Sequence, residues 1–176
     1  VLEGIDGSGK TTQVKRLVDY LTLKGFDVLH VREPGGTEVG EKIRDILLNV
    51  EMDALTELML FTASRVENIK KNILPALADN RVVICDRFVD STFAYQGYGR
   101  MLKYQVMDIQ PLVDELVKPD HVLFLDLRLE ESIARIEARK GQDKDRLDSL
   151  NLDVKKRIFD GYARAYVLNP ERNIKI

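Results

Sequence analysis

The sequence predicts an α/β fold, an open parallel sheet of about five strands with helices on both faces. Short apolar runs alternate with longer amphipathic segments, the order from which parallel sheets and crossover helices are built. The run Val82-Val83-Ile84-Cys85 is continuously apolar, as in a strand covered on both sides. The chain has 176 residues, 44% hydrophobic and 32% charged, which suits one domain spanning 1–176 with a single core.

The elements follow in order. Val1-Leu2 is the stub of an apolar strand, and because the chain opens inside it without a Met, a few residues are expected to precede it. Lys10 to Lys24 is an amphipathic helix with Val14, Leu17, Val18 and Leu21 on one face, stopped by Gly25. Val28 to Val31 is a second strand. Glu38 to Leu48 is a helix carrying Val39, Ile43, Ile46 and Leu47 at helical spacing. A longer helical stretch runs from about Thr56 to Ala78, where Pro75 either kinks it or starts a new helix. Arg81 to Cys85 is the clearest buried strand. Gln105 to Leu116 is helix and His121 to Leu127 another buried strand. Leu129 to Arg139 and Asp153 to Leu168 are helices, and Asn173 to Ile176 is the last strand.

Between the first strand and first helix lies Gly4-Ile5-Asp6-Gly7-Ser8-Gly9-Lys10-Thr11, a full match to G-x-x-x-x-G-K-[ST] in its proper context. The glycines let the backbone turn tightly around oxygen atoms, and the loop N–H groups form an anion nest at a helix N-terminus. Lys10 sets a point charge on terminal phosphates, and Thr11 can offer a hydroxyl to Mg²⁺. This makes the fold a three-layer P-loop nucleotide-binding fold, with ATP and Mg²⁺ as its cofactors. No N-K-x-D guanine-reading segment occurs, which argues against a GTPase, and the chain is short for a motor or transporter ATPase. After the buried strand come Asp86, placed to hold the metal or its water, and Arg87, placed to grip phosphate oxygens.

Four ordered segments then resemble the thymidylate kinase family over essentially the whole chain. They are Glu3 to Gln13, Arg32-Glu33-Pro34-Gly35-Gly36-Thr37, Leu60 to Arg65, and Asp86-Arg87-Phe88 followed by Ser91 to Gly97. The resemblance implies transfer of a phosphoryl group from ATP to dTMP, giving dTDP and ADP. It implies that Phe61 stacks on thymine, Arg65 reaches a base carbonyl, and Ser91, Thr92 and Gln96 line the base and sugar. Tyr95 would pack on the deoxyribose. Arg44 and Arg87 would hold the dTMP phosphate, Asp6 would lie near the 3′-hydroxyl and phosphate, and Glu33 with Pro34 would approach metal and acceptor. Thr12 completes the ATP site. From the residues alone, Phe61 and Arg65 are four apart and share a helix face, as core aromatics and surface charges also do. The segment holding Tyr95 and Gln96 reads as a polar loop after a strand end, where ligands bind in open sheets.

Phosphoryl transfer needs positive charge around the moving group. The variable loop positions Ile5, Asp6, Gly7 and Ser8 are not basic, so that charge is expected from a mobile lid at about 139–148. Arg139 and Arg146 are the expected catalytic arginines, with Arg135 behind them; this resembles the bacterial subtype of the family. Rival readings are a P-loop kinase for another nucleoside or monophosphate, and a nucleotide sensor without turnover.

The net charge of −2 gives no global pull toward nucleic acid or an anionic membrane. No apolar run approaches the ~20 residues of a membrane span and no signal peptide is visible. The single cysteine, Cys85, permits no internal disulfide and suits a reducing cytoplasm. The family resemblance adds a homodimer, with the long helix from Thr56 as its interface.

Overall fold

The computed structural model describes residues 1–138 and 146–176. Five strands form one parallel sheet: β1 (Leu2–Glu3), β2 (Val28–Arg32), β3 (Val82–Asp86), β4 (Val122–Phe124) and β5 (Asn173–Lys175), in the order β2-β3-β1-β4-β5. Leu2 sits opposite Asp86 on one side and Leu123 on the other, so β1 is central and the chain reverses its direction of strand addition there. A crevice opens at such a point beyond the carboxyl ends of the strands. β4 is shorter than the predicted His121 to Leu127, although sheet hydrogen bonding continues beyond it through Leu125 N to Glu3 O at 2.9 Å and Asp126 N to Ile176 O at 3.0 Å.

Adjacent residues of β3 point to opposite faces and both faces are covered. Ile84 packs with Leu2, Val14 and Leu125 under α1 (Lys10–Leu23). Cys85 packs with Val31, Ile69, Phe88 and Val113 on the other side. A third cluster joins Ile5, Ala94, Val122 and Phe124 to Ile158 and Tyr162 of α8 (Leu152–Leu168). The absence of alternation in Val82 to Cys85 thus has its expected cause.

α2 (Glu38–Asn49) starts at Thr37, whose side chain accepts from Gly40 N. The long predicted helix from Thr56 is three pieces. α3 (Ala54–Asn68) runs into a π-helical turn at Ile69–Ile73 and then α4 (Leu74–Ala78). Pro75 occupies the first turn of α4, where its missing N–H costs least, and the wider turn before it absorbs the change. α5 (Val89–Thr92) leads directly into a second π-helical stretch, Phe93–Gly99, where a polar loop was expected. α6 (Lys103–Asp114) and α7 (Leu129–Glu137) complete the set. α8 lies hard against the second π stretch: a Cβ on Gly161 would come within 2.8 Å of Ala94 Cα and 2.9 Å of Tyr98 Cβ. Only a glycine allows that approach.

Candidate active site

The turn after β1 holds the phosphate loop in the shape its glycines permit. Gly4 has φ +142°, and a Cβ there would sit 2.6 Å from the Leu125 carbonyl oxygen. From above, α7 packs onto the loop, with Ser132 Oγ donating to Asp6 O at 2.6 Å and Arg135 Nη1 to Gly7 O at 3.0 Å. Lys10 is 6% exposed, and its Nζ donates to the carbonyls of Gly4 at 2.9 Å and Ile5 at 3.0 Å. Burial, with the Arg87 charge adding, pushes its ammonium down to about 8, against the opposing pull of Asp6, Asp86 and Glu3.

Thr11 Oγ1 donates to Asp86 Oδ2 at 3.3 Å, joining the end of the loop to the end of β3. A hydroxyl beside one carboxylate is a hard-oxygen pair of the kind that holds Mg²⁺ together with phosphate oxygens and water. No group of three or more His, Cys, Asp or Glu able to cage a metal occurs among the described residues. Glu33, the other expected metal ligand, is engaged otherwise. The residue is 4% exposed, and its carboxylate accepts from Arg65 Nε at 2.6 Å and Asn68 Nδ2 at 3.3 Å. Burial raises its pKa even though Arg65 and Asn68 pull it down. Of the three expected metal ligands, Thr11 and Asp86 stand together at the mouth of the loop, and Glu33 is held by Arg65 and Asn68.

Asp6 joins the phosphate loop to the residues beyond β3. It accepts from Arg87 Nη2 and from the Tyr95 hydroxyl through short contacts. Arg87 is the first residue after β3 and takes φ +71°, a left-handed conformation that a side chain rarely adopts. That twist aims its guanidinium back toward β1. There Nη1 reaches Tyr162 Oη at 2.7 Å and Ser91 Oγ at 3.2 Å, and the guanidinium lies over the Tyr95 ring at 5.4 Å. Beneath them Glu3, fully buried, accepts from Phe88 N at 2.6 Å, Ser91 N at 3.1 Å and Ser91 Oγ at 2.7 Å. It thereby caps the start of α5.

Arg65, 4% exposed, uses all three nitrogens. Besides Glu33, it donates from Nη1 to Thr92 Oγ1 at 2.7 Å and from Nη2 to Phe88 O at 2.9 Å. Arg44 Nη1 and Arg32 Nη1 converge on the Pro34 carbonyl at 3.0 and 3.1 Å, after a cis Glu33-Pro34 bond.

These groups surround one cleft of about 350 Å³. On its loop side are Asp6, Gly7, Gly9, Lys10, Thr11, Thr12 and Asp86. Glu33, Pro34, Arg44, Phe61 and Arg65 form a second wall, and Arg87, Ser91, Thr92, Tyr95 and Gln96 a third. Gly4, Ile5, Ser8 and Arg135 belong to the loop or its cover and do not line the cleft.

Arg146 departs from expectation. Rather than pointing over the loop, its guanidinium pairs with Glu57 Oε2 at 2.7 Å and donates to Leu47 O at 2.9 and 3.1 Å. Its backbone N–H reaches Leu48 O at 3.1 Å. Arg146, the first described residue of the expected lid, is thus seated on the C-terminal end of α2. Arg139 and the remainder of that lid lie outside the described residues.

Sequence reasoning missed Glu3, Tyr162, Glu57, Asn68 and the cleft residues Arg32, Leu48, Leu147 and Asp148. Glu3 had a usable signal, an acid inside an otherwise apolar strand stub. Tyr162 and Glu57 had none, because their partners lie 75 and 39 residues away in sequence.

Comparison with known proteins gives a consistent result. A family model described as thymidylate kinase matches residues 2–176. A thymidylate kinase of Caldanaerobacter subterraneus subsp. tengcongensis is 44% identical over 177 residues, covering 99% of this chain and 84% of that protein. The crystal structure of thymidylate kinase from Ehrlichia chaffeensis superposes with a TM-score of 0.81 at 36% identity, covering 99% of this chain and 83% of that one.

Proposed function

The chain belongs to the thymidylate kinase family, and from that premise we infer how its cleft divides between the two substrates. The reaction is transfer of the γ-phosphoryl group of ATP to dTMP, giving dTDP and ADP. In our reading ATP lies along the phosphate loop, with its phosphates on the loop amides and Lys10. Thr11 and Asp86 would hold Mg²⁺, whose chemistry there is to offset phosphate charge. On the facing wall, Phe61 offers a flat surface for thymine, while Thr92 and Gln96 offer polar atoms. Arg44 and Arg87 supply positive charge for the acceptor phosphate, and Tyr95 covers the sugar.

The acceptor is already an anion, so the chain's main contributions are orientation and charge neutralisation. Asp6 orients Arg87 and Tyr95 together, placing the acceptor grip within reach of the loop. Arg135, from α7, adds charge above the loop. The observation that carries the assignment is that the loop and the acceptor set line the same cleft.

The test is formation of dTDP from dTMP and MgATP, with dUMP, dCMP, dGMP and AMP as competing acceptors. A protein that binds ATP but makes no dTDP would sink it. We also assign a homodimer, supported by Leu55 and Met59, which are 43% and 50% exposed and one turn apart on α3. Sedimentation analysis of a Met59→Glu variant checks this. No helix among the described residues is long and apolar enough to cross a membrane. With ATP and dTMP as substrates, the cytoplasm is the compartment we assign.

A further inference from the structure

Glu57 lies on α3, one turn before Phe61, and lines no part of the cleft. It is 1% exposed. Its Oε1 accepts from Gln96 Nε2 at 2.8 Å and Arg100 Nε at 3.2 Å. Its Oε2 accepts from Arg100 Nη2 at 2.8 Å and is paired with Arg146 Nη1 at 2.7 Å. Two guanidinium groups and one amide therefore occupy this carboxylate.

Hydrogen-bond chemistry then restricts Gln96. An ionised carboxylate only accepts, and a guanidinium only donates. Gln96 can therefore meet Glu57 only through its NH₂ end; turning the amide over would set two acceptor oxygens against each other. Burial disfavours the charge on Glu57, but the hydrogen bonds from Arg100, Gln96 and Arg146 outweigh it and hold the pKa below its ordinary value. With the amide held this way round, Oε1 is turned away from Glu57 and is the acceptor that Gln96 can offer to the cleft it lines.

We propose that Glu57 is a positioning residue for base selection: by fixing the Gln96 amide, it makes the cleft present an acceptor to the base. This rests on the acceptor assignment above. In thymine linked through N1, the only ring donor is N3–H, which complements Gln96 Oε1. In cytosine N3 is itself an acceptor, so the same amide orientation repels it. Selection between the two pyrimidines thus depends on a carboxylate that touches neither. Arg100 and Arg146 act with it by keeping it ionised and fully occupied.

The experiment compares kcat/KM for dTMP and dCMP in wild type, Glu57→Gln, Gln96→Ala and the double variant. Glutamine at 57 can both donate and accept, so it leaves the Gln96 amide free to turn. Expected is a fall of roughly 10-fold or more in the dTMP:dCMP ratio for E57Q, the scale set by one mispaired hydrogen bond. In the Gln96→Ala background E57Q should then lower the ratio no further, because Glu57 acts through Gln96. An unchanged ratio in E57Q, with activity on both nucleotides falling alike, would overturn the proposal, since that is the mark of a purely structural role. Additive losses in the double variant would overturn it too. If E57Q does not fold, Glu57→Asp takes its place, drawing the carboxylate back from Gln96, with the same two outcomes. A wild-type protein that makes no dTDP would instead refute the functional assignment, and so the two failures are distinguishable.

Discussion

Replacing Arg65 with methionine should expose how much this wall of the cleft depends on one buried ion pair. Arg65 and Glu33 have side chains 4% and 2% exposed, and their contact is 2.6 Å. Methionine fills much of the space but donates nothing. Glu33 would keep only Asn68 at 3.3 Å, and Thr92 Oγ1 and Phe88 O would lose their donors. Breaking a buried pair from one side costs about 3–5 kcal/mol, because the remaining charge is stranded. In a chain of this length that corresponds to a fall in Tm on the order of 10 °C. The pH dependence follows from the sign of the shift. Burial raises the Glu33 pKa and Arg65 lowers it, so removing Arg65 raises it further. A carboxyl raised in the fold contributes stability that is present below its unfolded value of 4.5 and lost as pH rises through the folded value. The deficit of R65M should therefore grow between pH 5 and pH 7. Urea unfolding at both pH values, followed by circular dichroism, measures it. Adding Glu33→Leu should recover much of the loss by removing the stranded charge. A deficit below about 1 kcal/mol, or one equal at both pH values, would refute the reasoning.

Other consequences can be checked separately. At pH 8.5, ATP binding should take up protons, since Lys10 is held near 8 in the free protein and an arriving triphosphate raises it; calorimetry in buffers of different ionisation enthalpy reads this directly. From the same group, the free protein should gain stability between about pH 8 and its unfolded value of 10.5, because the folded state releases the proton first. Thr11→Val should reduce kcat/KM for MgATP by roughly 10- to 100-fold, with a smaller effect on metal-free nucleotide binding, as Mg²⁺ titration would show. Gly161→Ala should destabilise by about 1–3 kcal/mol, because the new methyl meets backbone and the root of a side chain rather than a flexible tip; thermal unfolding tests it. Arg146→Ala should raise KM for dTMP and lower Tm, since it releases Leu47 O and the Glu57 carboxylate that holds Gln96, and steady-state kinetics would separate this from a loss confined to kcat.

The sheet and the loop were legible because their signals are local. Continuous apolarity in Val82 to Cys85 reports burial on two faces, and Gly4 to Thr11 carries its geometry in eight adjacent residues. That Phe61 and Arg65 line the cleft was legible only through the family's ordered segments; from spacing alone they could equally have been core and surface. Arg146 shows the limit. A basic residue in a charged stretch looks like a lid cation, and nothing nearby in sequence reveals that a buried carboxylate on α3 awaits it. The Glu33 carboxylate is alike in this respect, because its partner Arg65 is 32 residues on. Charge is visible in a sequence, but its partner is a product of topology.

The π-helical stretch Phe93–Gly99 ties chain length to chemistry. Here the Arg100 N–H reaches back five residues to Tyr95 O, at 2.9 Å. On its near side Tyr95 meets Asp6, and on its far side Arg100 meets Glu57. Excising any one residue would tighten this coil to ordinary α pitch and swing everything after it by about 100°. Either tyrosine or arginine would then face the wrong way, whatever amino acids remained. The segment can thus be resculpted by substitution, but an insertion or deletion there would unhinge one wall of the cleft from the other.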